Sequence, residues 1–65
     1  MKTLHIPAIQ EGQTKRLHVK EPTLVKVFQS RNADPVPHTL KAHDTLFLWW
    51  NQGQVCSVVR NEMPL

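Results

Sequence analysis

The pattern of apolar and polar positions is clearest between Thr45 and Arg60. There, two runs of β-branched and aromatic residues flank a short polar segment. The polar segment ends in Gln52-Gly53, and glycine supplies the backbone conformation that tight turns between antiparallel strands require. The pattern therefore predicts a β-hairpin. This predicts a fold class without indicating a chemistry.

The first run of the hairpin is apolar on both sides. Leu46, Leu48 and Trp50 alternate onto one side of a strand, and Phe47 and Trp49 alternate onto the other. A half-buried surface strand has one polar side instead. We therefore expect a central strand, a strand of a barrel, or a strand covered by a second subunit.

The turn of the hairpin allows two strand registers. A two-residue turn places Trp50 opposite Val55, whereas a three-residue turn places Trp49 opposite Val55. The shorter turn needs a left-handed backbone at Gln52 as well as at Gly53, and glutamine adopts that conformation less readily. We therefore favour the three-residue turn.

The rest of the chain is divided by prolines, which leave little room for a long helix between residues 7 and 37. Residues 3–6 predict an edge strand, and the alternation at 15–20 predicts a half-buried strand with a basic side. Residues 23–29 also fit a helical spacing, but their valines favour a strand. Residues 30–38 are predicted as a long loop, 38–43 as a short strand or a turn, and 61–65 as a frayed tail.

These elements predict one all-β domain over residues 1–65. The candidates are a four- or five-stranded antiparallel barrel or sheet, either SH3-like or OB-like, or a small sheet completed by dimerisation. A chain of 65 residues buries only about 60% of its unfolded surface, so oligomerisation is a common source of added stability.

Composition adds an electrostatic bias to this picture. The formal net charge is +3, which favours acidic partners such as nucleic acid or an acidic protein surface. Cys56 is the single cysteine, which we interpret as a small buried apolar residue in a reducing compartment. No stretch resembles a secretion signal or a membrane span. We expect a cytoplasmic protein with no membrane partner.

Catalytic and metal-binding patterns are weak. The five acidic residues are dispersed, and two glycines do not make a phosphate-binding loop. Of the four histidines, His38 and His43 lie closest together, at a spacing that matches no standard zinc pattern. We therefore predict a protein that is not an enzyme and that uses no cofactor or metal.

Basic and aromatic residues are the remaining candidates for function. Phosphate contacts are predicted for five cations: Lys15, Arg16, Lys20, Lys26 and Arg31. Trp49 and Trp50 point to opposite sides, so one of them can stack on a base or anchor an interface. The leading prediction is a nucleic-acid-associated or regulatory accessory protein. The alternative is a protein-interaction or assembly module that uses the hairpin as a dimer seam. In either case we expect a homo-oligomer.

The C-terminal third carries a Leu-x-x-x-Asp-x-Leu-x-Leu pattern followed by a turn and a second apolar strand. Its residues are Leu40, Asp44, Leu46 and Leu48, then Gly53 and Val55. This pattern resembles the swapped-hairpin DNA-binding regulators and antitoxins of the AbrB and MazE type. The N-terminal half lacks their Arg-x-x-x-Ile-Pro element, and we transfer no function from the resemblance.

Overall fold

The computed structural model describes residues 2–29 and 33–63. Within these ranges the chain forms strands and no helix, which confirms the all-β prediction. The six strands are β1 (Lys2–Ile6), β2 (Thr14–His18), β3 (Thr23–Val27), β4 (Val36–Leu40), β5 (Asp44–Asn51) and β6 (Gln54–Asn61). A helix able to cross a membrane is accordingly not found in the described part of the chain.

The strands form two three-stranded sheets. The first sheet has the order β1-β3-β4, with β1 parallel to β3 and β3 antiparallel to β4. The second sheet has the order β2-β5-β6 and is antiparallel throughout. Because β2 lies between β1 and β3 in the sequence, the chain crosses from one sheet to the other and back.

The two sheets share one apolar core. In β3 the alternation is regular: Thr23, Val25 and Val27 are buried, so this segment is a strand and the helical interpretation is excluded. In β5 the buried apolar side chains are those of Leu46 and Leu48. The buried apolar set is completed by side chains from the other strands and loops: Ile6, Ile9, Val19 and Leu40.

A closed barrel, one of the arrangements that the sequence predicts, is not found in residues 2–29 and 33–63. The described strands form two small open sheets, number six rather than four or five, and include one parallel pair. Pro37 gives one physical reason for an open sheet. It lies in β4 opposite Lys26 and has no N–H to donate, so β4 suits a sheet edge and not a continuing ladder.

The β5–β6 hairpin is confirmed, but its turn differs from the one that we favoured. Asn51 is opposite Gln54 and Trp50 is opposite Val55, so the turn has two residues. Gln52 and Gly53 both have positive φ, at 52° and 79°. This backbone matches the right-handed twist of the flanking strands, and that match is the reason why such turns are favoured even when one position is not glycine.

The C-terminal end of β6 is held by the turn that precedes β5. Asn61, predicted as the start of a frayed tail, is the last residue of β6. Its side-chain amide donates to Asp44 Oδ1 at 2.8 Å, and the Lys41 N–H donates to Asp44 Oδ2 at 2.7 Å. The Glu62 N–H donates to the His43 carbonyl at 2.9 Å. The Asp44 carboxylate therefore ties this turn to the end of the hairpin.

These hydrogen bonds predict an acid-sensitive fold. The Asn61 amide and then the Lys41 N–H hold the pKa of the Asp44 carboxyl below its ordinary value, against an opposing effect of burial. A carboxyl group with a lowered pKa in the folded state stabilises the folded protein at pH values above its ordinary pKa. This stabilisation is lost as the pH falls through the pKa of the folded state. We expect the melting temperature to decrease when the pH is lowered below about 4. Circular dichroism melts between neutral and acidic pH measure this dependence.

The variant Asp44→Ala should melt several degrees lower than the wild type at neutral pH and should show a shallower acid dependence. The pKa of Glu62 is lowered too, so part of the acid dependence should remain. Asp34→Ala is the matched control because Asp34 is exposed in the connection before β4. If Asp34→Ala and Asp44→Ala shift the melting temperature equally, the role assigned to Asp44 is wrong.

Candidate nucleic-acid interface

One side of the second sheet faces away from the core, and we call it the outer face. The strand register defines it, because residues directly opposite each other on neighbouring strands share a side. Its central residues are Arg16 and His18 from β2, Thr45, Phe47 and Trp49 from β5, and Cys56, Val58 and Arg60 from β6. The opposite side of β5 carries the buried leucines.

On the outer face, basic and aromatic side chains lie side by side. Arg16 of β2 is directly opposite Phe47 of β5, and its guanidinium carbon lies 6.0 Å from the centroid of the phenyl ring. This is within the range of a cation–π interaction. Trp49 is the next residue along β5 on the same side and lies opposite Cys56. The β2–β5 pairing thus joins a cation and aromatic rings that are far apart in the sequence.

A shallow depression lies between β2 and β5 at this position. Its volume is about 420 Å³, and both ring-bearing residues, Phe47 and Trp49, line it together with Thr14, Lys15 and Arg16. Phe47 and Trp49 are each half-buried, so part of each aromatic side chain remains accessible. The depression combines aromatic surface with adjacent positive charge.

The two tryptophans have different structural positions. Trp50 is on the core side of β5 and packs against the buried cluster. Its indole Nε1–H donates to the Ile9 carbonyl at 2.6 Å, which ties the loop after β1 to the hairpin. Trp49 points to the outer face. Of the two predicted stacking or interface candidates, Trp49 is therefore the one that lies on the outer face.

A polar network closes one end of the outer face. His18 Nδ1 lies 2.8 Å from the hydroxyl oxygen of Thr45, and Thr45 is fully buried beneath its neighbours. Arg16 donates to the Glu62 carboxylate at 3.3 Å. The Thr45 hydroxyl is the main cause that lowers the pKa of Glu62, and Arg16 adds a smaller effect. Glu62 is thus a carboxylate that competes with any incoming anion for Arg16.

This ion pair holds Arg16 only weakly. The side chains of Arg16 and Glu62 are 60% and 43% exposed, respectively. Ion pairs this exposed add little stability, because water and salt screen them. Arg16 can therefore separate from Glu62 at little cost in free energy.

The structure disperses the four predicted phosphate-binding cations that it describes. Arg16 lies on the outer face, and Lys15 is exposed beside it on the edge strand β2. Lys20 is exposed in the connection between β2 and β3. Lys26 is half-buried in β3, in the other sheet. Arg31 lies outside the described residues.

Sequence reasoning missed Phe47, His18 and Arg60 as candidates for function. Arg60 lies on the outer face opposite Thr45, and Phe47 lies between Arg16 and Val58. The alternation of residues in β5 already predicts that Phe47 and Trp49 share one side of the strand. This was the signal in the sequence that could have identified Phe47 as a candidate. Which basic residues face them depends on the strand register, which the sequence pattern does not specify.

The remaining chemistry of the described residues is sparse. Cys56, predicted to be a small buried apolar residue, is half-buried on the outer face opposite Trp49. In the part of the chain that the structure describes, no group of three histidine, cysteine or acidic side chains converges as a metal-ligand set.

Comparisons with known proteins add no assignment. No protein family, curated protein or solved structure matches this chain. The function is therefore inferred from the sequence and the structure of this chain.

Proposed function

We propose that this protein is a non-enzymatic nucleic-acid-binding module and that the outer face of the second sheet is its binding surface. The observation that carries the proposal is the position of Arg16 over the Phe47 ring, with Trp49 next to it on the same side. In nucleic acid, phosphates lie close to base rings. On this surface a cation likewise lies close to aromatic rings, so the two can be contacted together.

Charge supports the same proposal. The chain has a formal net charge of +3, and Arg16, Arg60 and exposed Lys15 lie on or beside the outer face. Cations that neutralise phosphates release counterions, so affinity falls linearly with salt on a logarithmic scale. With two or three phosphate contacts, we expect a slope of about −2 to −3 for a duplex.

The direct test is fluorescence anisotropy of a labelled oligonucleotide of about twelve nucleotides, titrated with protein at several salt concentrations. Arg16→Ala should weaken binding several-fold and reduce the salt slope by about one. Lys26→Ala is the matched control, because it removes the same charge from the first sheet. Its effect should be small and should leave the slope nearly unchanged.

Two results would contradict the proposal. Absence of saturable binding to single strands and to duplexes at low salt would reject a nucleic-acid partner. Equal losses for Arg16→Ala and Lys26→Ala would show diffuse electrostatic attraction and no outer-face site. Circular dichroism spectra of each variant establish that the comparison is made between folded proteins.

A second candidate function is assembly with another copy of the chain, and β6 is the feature that favours it. β6 pairs with β5 on one edge, and its other edge carries no strand in the described part of the chain. Val58 and Val59 point to opposite sides and are 45% and 43% exposed. Open edges with exposed β-branched residues pair readily with a further strand.

Analytical ultracentrifugation tests this second candidate. A homodimer through β6 should dissociate in Val59→Lys, because a charge on an edge strand opposes edge-to-edge pairing. A wild type that sediments as a monomer at all concentrations would reject self-assembly and would leave the nucleic-acid proposal unaffected.

A further inference from the structure

We infer that the ligand of the outer face is single-stranded nucleic acid, with two neighbouring bases stacked on Phe47 and Trp49. The inference rests on the function proposed above and names the form of nucleic acid that this surface fits. Its starting point is that both aromatic side chains are on one side of one strand, two residues apart.

The spacing of the two aromatic residues favours an unpaired strand. Residues two apart on an antiparallel strand are separated by about 6.8 Å along the strand. Successive bases in a duplex are separated by about 3.4 Å and are already stacked on each other. Two neighbouring bases can therefore meet Phe47 and Trp49 only when the strand is extended and its bases are apart.

The shape of the outer face leads to the same conclusion. Duplex DNA is recognised through its groove edges by polar side chains on a helix or a narrow ribbon, and the faces of its bases are inaccessible. On the outer face, aromatic Phe47 and Trp49 lie on the central strand of the sheet, and the cations Arg16 and Arg60 lie on the two flanking strands. Aromatic rings at the centre of a sheet with cations around them suit exposed base faces.

Arg16 connects the two parts of such a contact. In the free protein its guanidinium lies over Phe47 and also reaches Glu62. A phosphate of the bound strand takes the place of Glu62 and draws the guanidinium from the ring. The ring of Phe47 is then free to stack with a base.

The test compares a single strand with a duplex of the same length and sequence, as DNA and as RNA, by fluorescence anisotropy. We expect the single strand to bind at least tenfold more tightly, although the duplex has twice the charge. Phe47→Leu, which keeps an apolar side chain but removes the ring, should weaken single-strand binding by about fivefold or more. Trp49→Phe keeps a ring and should retain most of the affinity.

Intrinsic tryptophan fluorescence provides a second measurement, because a variant that has lost its fold would not show the quenching pattern expected for stacking. Binding of the single strand should quench tryptophan emission in the wild type and in Trp50→Phe, where Trp49 is the fluorophore. In Trp49→Phe the remaining Trp50 faces the core, so the quenching should be largely lost while the anisotropy still reports binding.

The outcomes separate this inference from the proposed function. If neither form binds, both fail. If the duplex binds as tightly as the single strand, or if Phe47→Leu binds like the wild type, the stacking inference is wrong while nucleic-acid binding stands. Tight single-strand binding with a loss in Phe47→Leu and quenching by Trp49 supports both.

Discussion

Replacement of Leu46 by alanine should remove a large part of the folding stability of this chain. Leu46 is 0% exposed and lies at the centre of the second sheet, between Leu17 of β2 and Val59 of β6. Leucine-to-alanine changes at such sites cost about 3 kcal/mol or more, since the lost methyl groups leave a cavity. A domain of 65 residues has a total stability of roughly 3–10 kcal/mol, so the change removes much of it.

Urea denaturation followed by circular dichroism measures this loss. Leu24→Ala is the matched control, because Leu24 is in β3 on the side away from the core and is half-buried. It should cost about 1 kcal/mol, in line with the smaller area that it buries. Equal midpoints for Leu24→Ala and Leu46→Ala would mean that the core is not centred on β5.

The second large effect is expected for Trp50→Ala. The indole of Trp50 packs against the core and donates to the Ile9 carbonyl at 2.6 Å. Its removal forfeits the apolar contacts and leaves that carbonyl without the indole donor, at a combined cost of roughly 3 kcal/mol. The loop after β1 should be held less firmly, since this hydrogen bond joins it to β5, while the buried side chain of Ile9 still anchors it.

Trp49→Ala is the matched variant because it makes the same chemical change on the outer face. We expect a loss of about 1 kcal/mol or less, together with weaker binding of single-stranded nucleic acid. The pair therefore separates stability from binding: Trp50→Ala should affect mainly the unfolding midpoint, and Trp49→Ala mainly the affinity. A reversed pattern would mean that the sides of β5 are assigned wrongly.

The local elements could be predicted from the sequence because their signals are local. The hairpin between residues 45 and 60 has alternating apolar residues and a turn glycine, and its strands lie where these signals indicate. A strand was also predicted over residues 23–29, although the leucine and phenylalanine spacing there fits a helix as well, and β3 covers Thr23–Val27 of that range. Its valines favour the strand, and three buried positions at a period of two agree with that preference.

The arrangement of the strands could not be predicted in the same way. The parallel pairing of β1 with β3 and the assignment of β2 to the other sheet depend on contacts between distant parts of the chain. The turn at Gln52 shows a local case of the same limit. The conformational cost of glutamine was visible in the sequence, but the twist of the flanking strands, which favours the two-residue turn, was not.

The candidate site shows how much of a binding surface can be predicted from a sequence pattern. Alternation placed Phe47 and Trp49 on a common side, and charge identified Arg16 as a candidate. Their juxtaposition depends on the register between β2 and β5, and a shift of one residue would turn Arg16 to the other side of the sheet. Lys26 has the same charge but lies in the first sheet, because strand pairing, which the pattern does not specify, assigns β3 to that sheet.

The alternation of the chain between its two sheets has a consequence for how the protein folds. Neither the segment up to β3 nor the segment from β4 onward contains all the strands of either sheet. A fragment ending at residue 29, or one starting at residue 33, would leave both sheets incomplete and the apolar core open. We therefore expect the described strands to fold and unfold as one cooperative unit, with a rate limited by the long-range pairings of β1 with β3 and β2 with β5.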